Sequence, residues 1–416
     1  MQLKTLLNRV QKHKGFVYDR IQLFDDDPTP RLLVDIRPRL GSQPRCSGCS
    51  RSRPHYDTLD ERLFQFVPLW GFLVFFAYAM RRVECERCGV KVEVVPWAEG
   101  KSPTTTTYAW FLASWAKRLS WTDVATVFRT SWDTVFRAVN LAVEWGLKHR
   151  KLKGIRAIGV DEVLWHRGHK YLTVVYQIDE HCKRLLWVGR DRTTECLEEF
   201  FNEFGQRARW LRFICSDMWQ PYLDVIARRA RLAVHVLDRF HIVARLNKAI
   251  DEVRAGEARR MKQDGHKPIL KHSRWCLLKR PENLTDSQRD KLALVLKYNL
   301  RTVRAYLLKE ELQLLWHYVS PTWAGKFLDR WCTKVMRSRL EPVKKIARSL
   351  RDHRDLILNW FRAHGLISAG AVEGLNNKLK VITRRAYGFR TFKAARLALY
   401  HGLGALPEPA FTHRFF

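Results

Sequence analysis

The chain has 416 residues, 46% of them hydrophobic, which is enough for about two to four compact domains and excludes a wholly disordered protein. Its 75 Lys and Arg residues outnumber 42 Asp and Glu residues, so the formal net charge is +33. A charge of this size favours a polyanion, nucleic acid first, as the partner. A ribosome-like binder and a merely solvated basic surface are the alternatives.

The first hundred residues contain short strand-like runs and turns. The N-terminal sequence MQLKTLLNRVQKHKG has no long apolar core and no small-residue cleavage site, so no signal peptide is expected. The run LFQFVPLWGFLVFFAYAM at 63–80 approaches the length that spans a bilayer, but Pro68 and Gly71 interrupt it. We predict a strand–turn–strand with Pro-Leu-Trp-Gly at the turn, and no membrane association.

Two CxxC pairs, Cys46 with Cys49 and Cys85 with Cys88, lie in the same region. Each pair can place two thiolates on one side of a tight turn, and two pairs complete a tetrahedral Zn²⁺ site. A site closed by four thiolates is structural and stabilises a module with little core. We therefore predict one structural zinc ion in a zinc-binding domain at 1–100, whose N-terminal part can be a separate unit. Unrelated buried cysteines are the alternative.

The sequence WTDVATVFRTSWDTVFRAV at 121–139 has two apolar faces at helical spacing, on either side of a break at Arg129. Ser131 or Asp133 can begin the second helix. The pattern predicts a helix-turn-helix domain at 101–150 whose second helix enters the major groove of DNA. The residues predicted to contact DNA are Ser131, Trp132, Thr134 and Arg137. A plain helical hairpin is the alternative.

From residue 155 onward, short β-rich runs first follow one another and then alternate with helices, which predicts a mixed α/β sheet. From about 240 to 362 the chain is helical and strongly basic, and Thr285 or Asp286 can cap one of these helices. A last helix carries VEGLNNKLKVITRR.

Three carboxylates stand out in this second half. Asp161 directly follows an apolar run, so we expect it at or near a strand end; Asp217 directly follows the strand-like FICS, and Glu373 lies on the last helix. Such a set can hold two Mg²⁺ or Mn²⁺ ions, which prefer hard oxygen ligands and support in-line phosphoryl displacement. An Asp at a strand end is often a turn residue. The pattern alone therefore leaves Asp179, Asp191, Asp224 and Asp238 as competing candidates.

Five stretches resemble the ISL-three family of bacterial insertion-sequence transposases, which are of the DDE type. They are GVDEVLWHRGHKYLTVVYQID around Asp161, SDMWQPYLDVI at Asp217, LDRFHIVARLNKAIDEVR from Leu237, RWCLLKRPENLT from Arg274 and VEGLNNKLKVITRRAYGFRTF at Glu373. With the zinc-knuckle and helix-turn-helix domains before them, the resemblance extends from about Cys46 to Leu403.

The resemblance implies a ribonuclease-H-like catalytic domain at 151–403 with a helical insertion at about 245–362, followed by a tail at 404–416. On that fold Asp161 maps to the first strand, Asp217 to the end of the fourth and Glu373 to a late helix, where they are catalytic and hold two Mg²⁺ or Mn²⁺ ions. The predicted fold class is α/β multidomain: a ribonuclease-H-like mixed sheet with an all-helical insertion, preceded by a zinc-ribbon domain and a helix-turn-helix domain.

The resemblance implies an enzyme, a DNA transposase that binds terminal inverted repeats, cleaves a DNA strand and transfers the 3′-hydroxyl into target DNA. Its partner is then double-stranded DNA, a homodimer or larger assembly pairs the two ends, and the location is the bacterial cytoplasm and nucleoid. Two alternatives remain: an inactive or domesticated transposase that regulates as a DNA-binding protein, and a nuclease of the same fold that never joins strands.

Further residues are secondary candidates. His241 can face the metal site or pack at a helix start. Trp165 and Trp219 can stack on an unpaired base, although core packing is their more ordinary role. Lys378, Lys380, Arg384 and Arg385 are predicted to contact DNA phosphates, although exposed helix faces are also basic for solubility.

Overall fold

The computed structural model describes residues 3–25, 29–166, 170–363 and 370–411. The chain divides into two compact units, one of Met1–Lys151 with Val381–Phe416 and the other of Leu152–Lys380. Residues 381–403, which the sequence assigned to the catalytic domain, therefore group with the first unit. The end of the predicted tail, 412–416, lies outside the described residues.

The first unit contains helix α1 (Leu3–Val10) and a five-stranded sheet. The strands are β1 (Phe16–Phe24), β2 (Arg31–Pro38), β3 (His55–Leu69), β4 (Phe72–Cys85) and β5 (Gly89–Val92). Their order is β1-β2-β4-β3, with β5 beside β4, and β2 and β4 are parallel while the other neighbours are antiparallel.

The predicted strand–turn–strand at 63–80 is confirmed, since β3 and β4 form a hairpin. Its two turn residues, Trp70 and Gly71, have φ values of 48° and 88°. Two left-handed residues are what a tight hairpin turn needs to match the twist of its strands. Within the described ranges, every helix is too short or too polar to cross a bilayer.

Three helices follow the first sheet: α2 (Thr106–Ala116), α3 (Trp121–Val127) and α4 (Trp132–His149). Ser120 and Ser131 begin α3 and α4, and their hydroxyls accept from the backbone N–H of Asp123 and Thr134. Arg129, in the turn between them, has a φ of 47°. The predicted break at Arg129 is therefore observed, and Ser131 rather than Asp133 caps the second helix.

The second unit is built on another five-stranded sheet. Its elements are β6 (Ala157–His166), β7 (Lys170–Asp179), β8 (Cys182–Arg190), α5 (Thr194–Phe204), β9 (Phe213–Ser216), α6 (Gln220–Arg229) and β10 (Val234–Leu237). The strand order is β10-β9-β6-β7-β8, in which β6, β7 and β8 form an antiparallel meander. β9 is parallel to β6 and β10 is parallel to β9. The predicted mixed α/β sheet is confirmed.

The two faces of this sheet are covered differently. Ile158 and Val160 of β6 pack with Phe201 of α5 and Tyr222 of α6 in one buried cluster. Because side chains alternate along a strand, Gly159 and Asp161 lie on the opposite face. That face is covered by the last helix of this unit, described below.

The chain after β10 is helical, as predicted. The helices are α7 (Arg239–Gln263), α8 (Arg274–Leu278), α9 (Asp286–Leu296), α10 (Arg301–Gln313), α11 (Pro321–Met336), α12 (Glu341–Asp352) and α13 (Arg354–Arg362). Thr285 and Gln288 form a capping box at the start of α9. Helices α7 and α10 to α13 share a core in which Trp331 is 1% exposed.

Two helices complete the described chain, α14 (Gly370–Arg385) and α15 (Phe392–Leu403). The boundary between the two units falls within α14, after Lys380. Helix α15 packs on α4 within the first unit.

Candidate active site and metal centre

Asp161 lies on β6, and Asp217 directly follows the neighbouring strand β9. Gly159 of β6 pairs with Cys215 of β9, and each aspartate follows two residues later. Both are buried, with 8% of Asp161 and 6% of Asp217 exposed. The expectation that Asp161 ends its strand is wrong, because β6 continues to His166 by pairing with β7. The two aspartates instead follow the last pair that joins β6 to β9.

Helix α14 approaches β6 closely at Gly159. A β-carbon at this glycine would lie 2.4 Å from Val372 Cγ2, closer than van der Waals contact allows. One turn further along α14, Asn376 Nδ2 donates to Asp161 Oδ2 at 2.5 Å. Its Oδ1 accepts from the hydroxyl of the buried Tyr176 at 2.9 Å. The helix is thus held directly over Asp161.

Glu373 is exposed on α14, three residues before Asn376 and hence on the same side of the helix. Its charge acts on Asp238, which caps the start of α7 by accepting from the backbone N–H of Phe240. His241 of α7 lies between two carboxylates, with Nε2 3.9 Å from Asp161 Oδ1 and 3.8 Å from Asp238 Oδ2. Its side chain is 39% exposed, so it borders this cluster and also faces solvent.

The carboxyl groups of Asp161 and Asp238 are costly to ionise beside their acidic neighbours. Burial raises the pKa of Asp161, and the charge of Asp217 adds to the increase, against the Glu162 N–H, His241 and Asn376. Burial, with the charges of Asp161 and Glu373, raises the pKa of Asp238 to about 6. Like charges in a poorly solvated cluster are stabilised by cations. Chemically, the cluster is therefore suited to divalent cations with oxygen ligands.

Glu162 is a neighbour that the sequence did not single out. Its carboxylate pairs with Arg192, whose guanidinium lies 3.9 Å from the centre of the Trp219 ring. Burial and the charge of Asp217 raise the pKa of Glu162 to about 7, despite Arg192. Trp219 is therefore covered by a cation and packs beside the core, whereas Trp165 is half-buried at the end of β6.

The competing aspartates have separate roles, except Asp238. Asp179 accepts from the backbone N–H groups at the start of β6, at Arg156 and Ala157. Asp191 follows β8 with a left-handed φ of 80°, and Asp224 is an exposed residue of α6 that accepts from Gln220. Asp238 differs from these three, because the charge of Asp161 contributes to raising its pKa. 

The four cysteines of the two CxxC pairs meet in the first unit. Their sulfur atoms all lie within 4.8 Å of one another, the one such group of three or more metal-type ligands in the described ranges. Cys49 Sγ and Cys85 Sγ are 3.7 Å apart. Two sulfurs bound tetrahedrally at 2.3 Å from zinc would be about 3.8 Å apart. The cluster therefore has the dimensions of a Cys₄ zinc site.

Each knuckle lies in a tight turn that brings its sulfurs to one side. Cys85 and Cys88 form the turn between β4 and β5, and the bridge between Arg45 and Ser52 encloses the other pair. A β-carbon at Gly48 would lie 2.9 Å from Cys88 Sγ, so the close packing of the sulfurs requires glycine there. Burial opposes ionisation of Cys85, but nearby N–H and thiol groups lower its pKa to about 6.

Comparison with known proteins supports the sequence resemblance. A family model described as "Transposase", of the DDE type and the ISL-three group, matches residues 158–399. The chain is 32% identical to the transposase for insertion sequence element IS1557 of Mycobacterium tuberculosis, covering 92% of this chain and 91% of that protein. It is 29% identical to the IS1001 transposase of Bordetella parapertussis, covering 93% and 95%.

The chain belongs to the ISL-three family of transposases. The matched residues include Asp161, Asp217 and Glu373 of this transposase, whereas the zinc-type cysteines precede the match. Among solved structures, the Drosophila P element transposase strand transfer complex is similar over 71% of this chain and 90% of that chain, at 9% identity. Its TM-score of 0.37 is too low to support an argument.

The residues of the transposase that were predicted to read DNA lie at the start of α4. Trp132 is 44% exposed and stacks on Phe136 at a centroid distance of 5.3 Å. Arg137 is exposed. The Ser131 hydroxyl accepts from the N–H of Thr134, so it caps α4, and Thr134 is half-buried. Of the four, Ser131, Trp132 and Arg137 are exposed, and Ser131 is occupied as the cap.

The basic residues predicted after Glu373 divide into two groups. Lys378, Lys380 and Arg384 are exposed on α14. Arg385 is half-buried and donates to the carbonyls of Lys117 and Arg118, both at 2.9 Å, at the end of α2. Arg385 thus stabilises a helix terminus whose last carbonyls lack partners.

Proposed function

We propose that this transposase cleaves a DNA strand and transfers its 3′-hydroxyl by two-metal-ion chemistry, with Asp161, Asp217 and Glu373 as ligands. One observation carries the proposal. Asp161 and Asp217 are both buried just beyond the last pair of β6 and β9, and the helix that carries Glu373 is hydrogen-bonded to Asp161. Two buried carboxylates beside the β6–β9 pairing are suited to bind cations, because Asp161 has no lysine or arginine partner in the described part of the chain.

The topology supports a ribonuclease-H-like assignment for this core. Such a core begins with a three-stranded meander and continues with βαβ units, and the strand order β10-β9-β6-β7-β8 agrees with it. The helices α7 to α13 then form the insertion between the second carboxylate and the third. On this reading the insertion begins at about 239, a few residues before the sequence-based estimate.

The three carboxylates do not form one tight group of ligands, as a single-ion site would require. Asp161, Asp217 and Glu373 are not all within 4.8 Å of one another. Two ions about 4 Å apart, each about 2.1 Å from its outer ligand, separate those ligands by about 8 Å. When bound, Mg²⁺ or Mn²⁺ would activate the attacking oxygen and stabilise the leaving one.

The protein's own side chains would prepare the reaction. Asn376 orients Asp161 by donating to Oδ2, while Oδ1 accepts from the backbone N–H of Glu162 at 2.7 Å and lies 3.9 Å from His241 Nε2. His241, partly exposed and 3.9 Å from Asp161, is positioned to accept a proton or contact the scissile phosphate. The exposed Lys378 and Lys380 follow Glu373 on α14 and would bind neighbouring phosphates.

The first unit would bind the terminal inverted repeats of the element. The Cys₄ cluster would hold one structural zinc ion, and α3 and α4 would act as a helix-turn-helix with Trp132 and Arg137 in the major groove. The net charge of +33 supports double-stranded DNA as the partner in the bacterial nucleoid. Because two transposon ends must be paired, we propose a homodimer or larger assembly on DNA.

The test is metal-dependent nicking of labelled terminal DNA by the wild type, Asp217→Asn and Asp224→Asn. Asp224 is an exposed aspartate of α6, so its variant controls for the loss of one charge. We expect wild type and Asp224→Asn to nick in Mg²⁺ or Mn²⁺, and Asp217→Asn to bind without nicking. Nicking by Asp217→Asn would refute the ligand assignment. Binding without nicking by the wild type would favour the alternative, a DNA-binding regulator, and nicking that never yields joined strands would favour a nuclease.

A further inference from the structure

The turn between α14 and α15 contains an aromatic residue in an unusual setting. Tyr387 is 99% exposed, the most exposed large hydrophobic side chain among the described residues. Its φ of 51° lies in the left-handed region, which bulky side chains rarely occupy. We name residues 386–390 the Tyr387 loop.

The backbone of the loop explains the left-handed conformation. Gly388 N–H donates to the Thr383 carbonyl and Tyr387 N–H donates to the Arg384 carbonyl, both at 2.9 Å. These two bonds form a Schellman motif, and Tyr387 occupies its left-handed position, where glycine is strongly favoured. The side chain therefore adds strain and packs against nothing that would compensate for it. Strain of this kind tends to persist at sites of function.

Cations flank the Tyr387 loop on both sides in the sequence. Between Glu373 and Glu408 the chain has seven Lys and Arg residues and no Asp or Glu. Arg384, Arg390 and Lys393 are exposed at the ends of the two helices. Lys393 Nζ lies 5.6 Å from the centre of the Phe136 ring, so α15 begins beside α4 of the same unit. The loop thus adjoins the predicted recognition helix.

We propose that the Tyr387 loop is a DNA contact, in which the cations bind backbone phosphates and the Tyr387 ring stacks on a base that the bound DNA exposes. A positively charged surface with a projecting aromatic ring is typical of such contacts. A second copy of this chain fits less well, because it carries the same +33 charge. The inference rests on the proposed function and adds a contact site to it.

Trp70 is also a highly exposed aromatic residue with a left-handed φ, but it lacks flanking cations. It is 81% exposed with a φ of 48° at the tip of the β3–β4 hairpin. The whole run from Phe64 to Met80 around it is uncharged, whereas cations lie two and three residues from Tyr387. The charge that points to DNA at Tyr387 is therefore missing at Trp70.

The test compares four variants for affinity to a labelled duplex that carries the terminal inverted repeat. Tyr387→Gly and Tyr387→Asn remove the ring and suit a left-handed backbone. Tyr387→Phe keeps the ring. Ala405→Gly is the control, because Ala405 is exposed with a φ of 44° and has no ring to lose.

We expect Tyr387→Gly and Tyr387→Asn to weaken binding roughly 5- to 150-fold, the value of one stacked base, with an unchanged salt dependence because no charge is lost. Their Tm should equal or exceed that of the wild type. Tyr387→Phe and Ala405→Gly should bind like the wild type. When 2-aminopurine replaces a base of the duplex, its fluorescence should be quenched on binding by the wild type, Tyr387→Phe and Ala405→Gly. Tyr387→Gly and Tyr387→Asn, which lack the ring, should not cause this quenching.

Wild-type affinity in Tyr387→Gly or Tyr387→Asn would overturn the inference, while nicking by the same preparations would leave the proposed function standing. Weaker self-association with unchanged DNA affinity would also overturn it and point to a protein interface. If the wild type itself neither bound nor nicked the duplex, the proposed function would fail first.

Discussion

Asn376 Nδ2 donates a hydrogen bond to Asp161 Oδ2 at 2.5 Å, although the two residues are 215 positions apart in the sequence. The side-chain amide of Asn376 cannot flip without losing a second hydrogen bond, because its Oδ1 accepts from the Tyr176 hydroxyl. Tyr176 is fully buried and pairs with Gly159 across β6 and β7. Asn376 therefore holds one oxygen of Asp161 in a fixed direction, which a metal ligand requires.

Replacing Asn376 should impair strand cleavage more than DNA binding. A hydrogen bond to a charged group is worth about 1.5–3 kcal/mol, so Asn376→Ala should slow single-turnover nicking roughly 10- to 150-fold. Asn376→Asp should slow nicking further, because it places a second carboxylate against that of Asp161. Asn377→Ala is the matched control, since Asn377 is exposed on the same helix. Equal nicking rates for Asn376→Ala and Asn377→Ala would exclude a positioning role.

A β-carbon at Gly159 should push α14 away from the sheet. The new atom would lie 2.4 Å from Val372 Cγ2, and overpacking of this kind costs about 1–3 kcal/mol. We expect Gly159→Ala to lower the free energy of unfolding in urea and to slow nicking. Adding Val372→Ala should restore part of both losses because it removes the clashing methyl group. If the losses of the two single variants simply added in the double variant, the close approach of Val372 to Gly159 would not be the cause of the Gly159→Ala defects.

Local pattern made Asp161 and Asp217 candidates, because each follows an apolar run, but it also left Asp179, Asp191, Asp224 and Asp238 as candidates. The family resemblance selected Asp161 and Asp217 from this set. It also selected Glu373, because one acidic residue on an amphipathic helix resembles any other. The position of Asp161 inside β6 depends on pairing with β7, which a single strand's sequence does not encode.

The rest of the site depends on long-range packing. Asn376 is visible in the sequence three residues after Glu373, but its contact with Asp161 exists only because α14 packs on Gly159. Similarly, the apolar face of α15 predicts burial without saying which unit buries it. The sequence predicted that Arg385 contacts a DNA phosphate, whereas in the structure it donates to the carbonyls at the end of α2.

The cysteine cluster should bind one zinc ion per chain, and the first unit should depend on it. Cys85→Ser is expected to release zinc and to lower Tm, because metal binding is coupled to folding in such modules. Cys182→Ser is the control, since Cys182 lies on β8 outside the cluster. Zinc released by a thiol reagent can be measured with a colorimetric chelator. A full zinc content in Cys85→Ser would contradict the proposed four-cysteine site.

Gly48→Ala offers a finer test of the same cluster, because it keeps all four cysteines. Its β-carbon would lie 2.9 Å from Cys88 Sγ, so the sulfurs would have to separate. We expect weaker zinc affinity in a competition titration with a chelator of known affinity. Gly41→Ala is a control with no atom within 4 Å of the new β-carbon, although its positive φ adds a small backbone strain. Unchanged zinc affinity in Gly48→Ala would mean that the sulfur packing tolerates the extra atom.

His13 should make the first unit sensitive to acid. It is buried among Tyr18, Phe76 and Trp97, its Nε2 has no hydrogen-bond partner within the described residues, and burial lowers its pKa from 6.5 to about 4. The unfolded chain therefore takes up a proton near pH 6.5 and the folded chain only near pH 4. The stability due to neutral His13 is complete above pH 6.5 and is lost as the pH falls through this window, by about 2 kcal/mol at pH 5.

His13→Leu keeps a similar volume and removes the titrating group. We expect it to reduce the difference between the free energies of unfolding at pH 7 and pH 5 by about 2 kcal/mol relative to the wild type. His181→Leu, at an exposed position, should leave that difference unchanged. The comparison uses the pH difference rather than stability at one pH, so any packing change common to both conditions cancels. An unaltered pH difference in His13→Leu would show that His13 is protonated equally in the folded and unfolded chains.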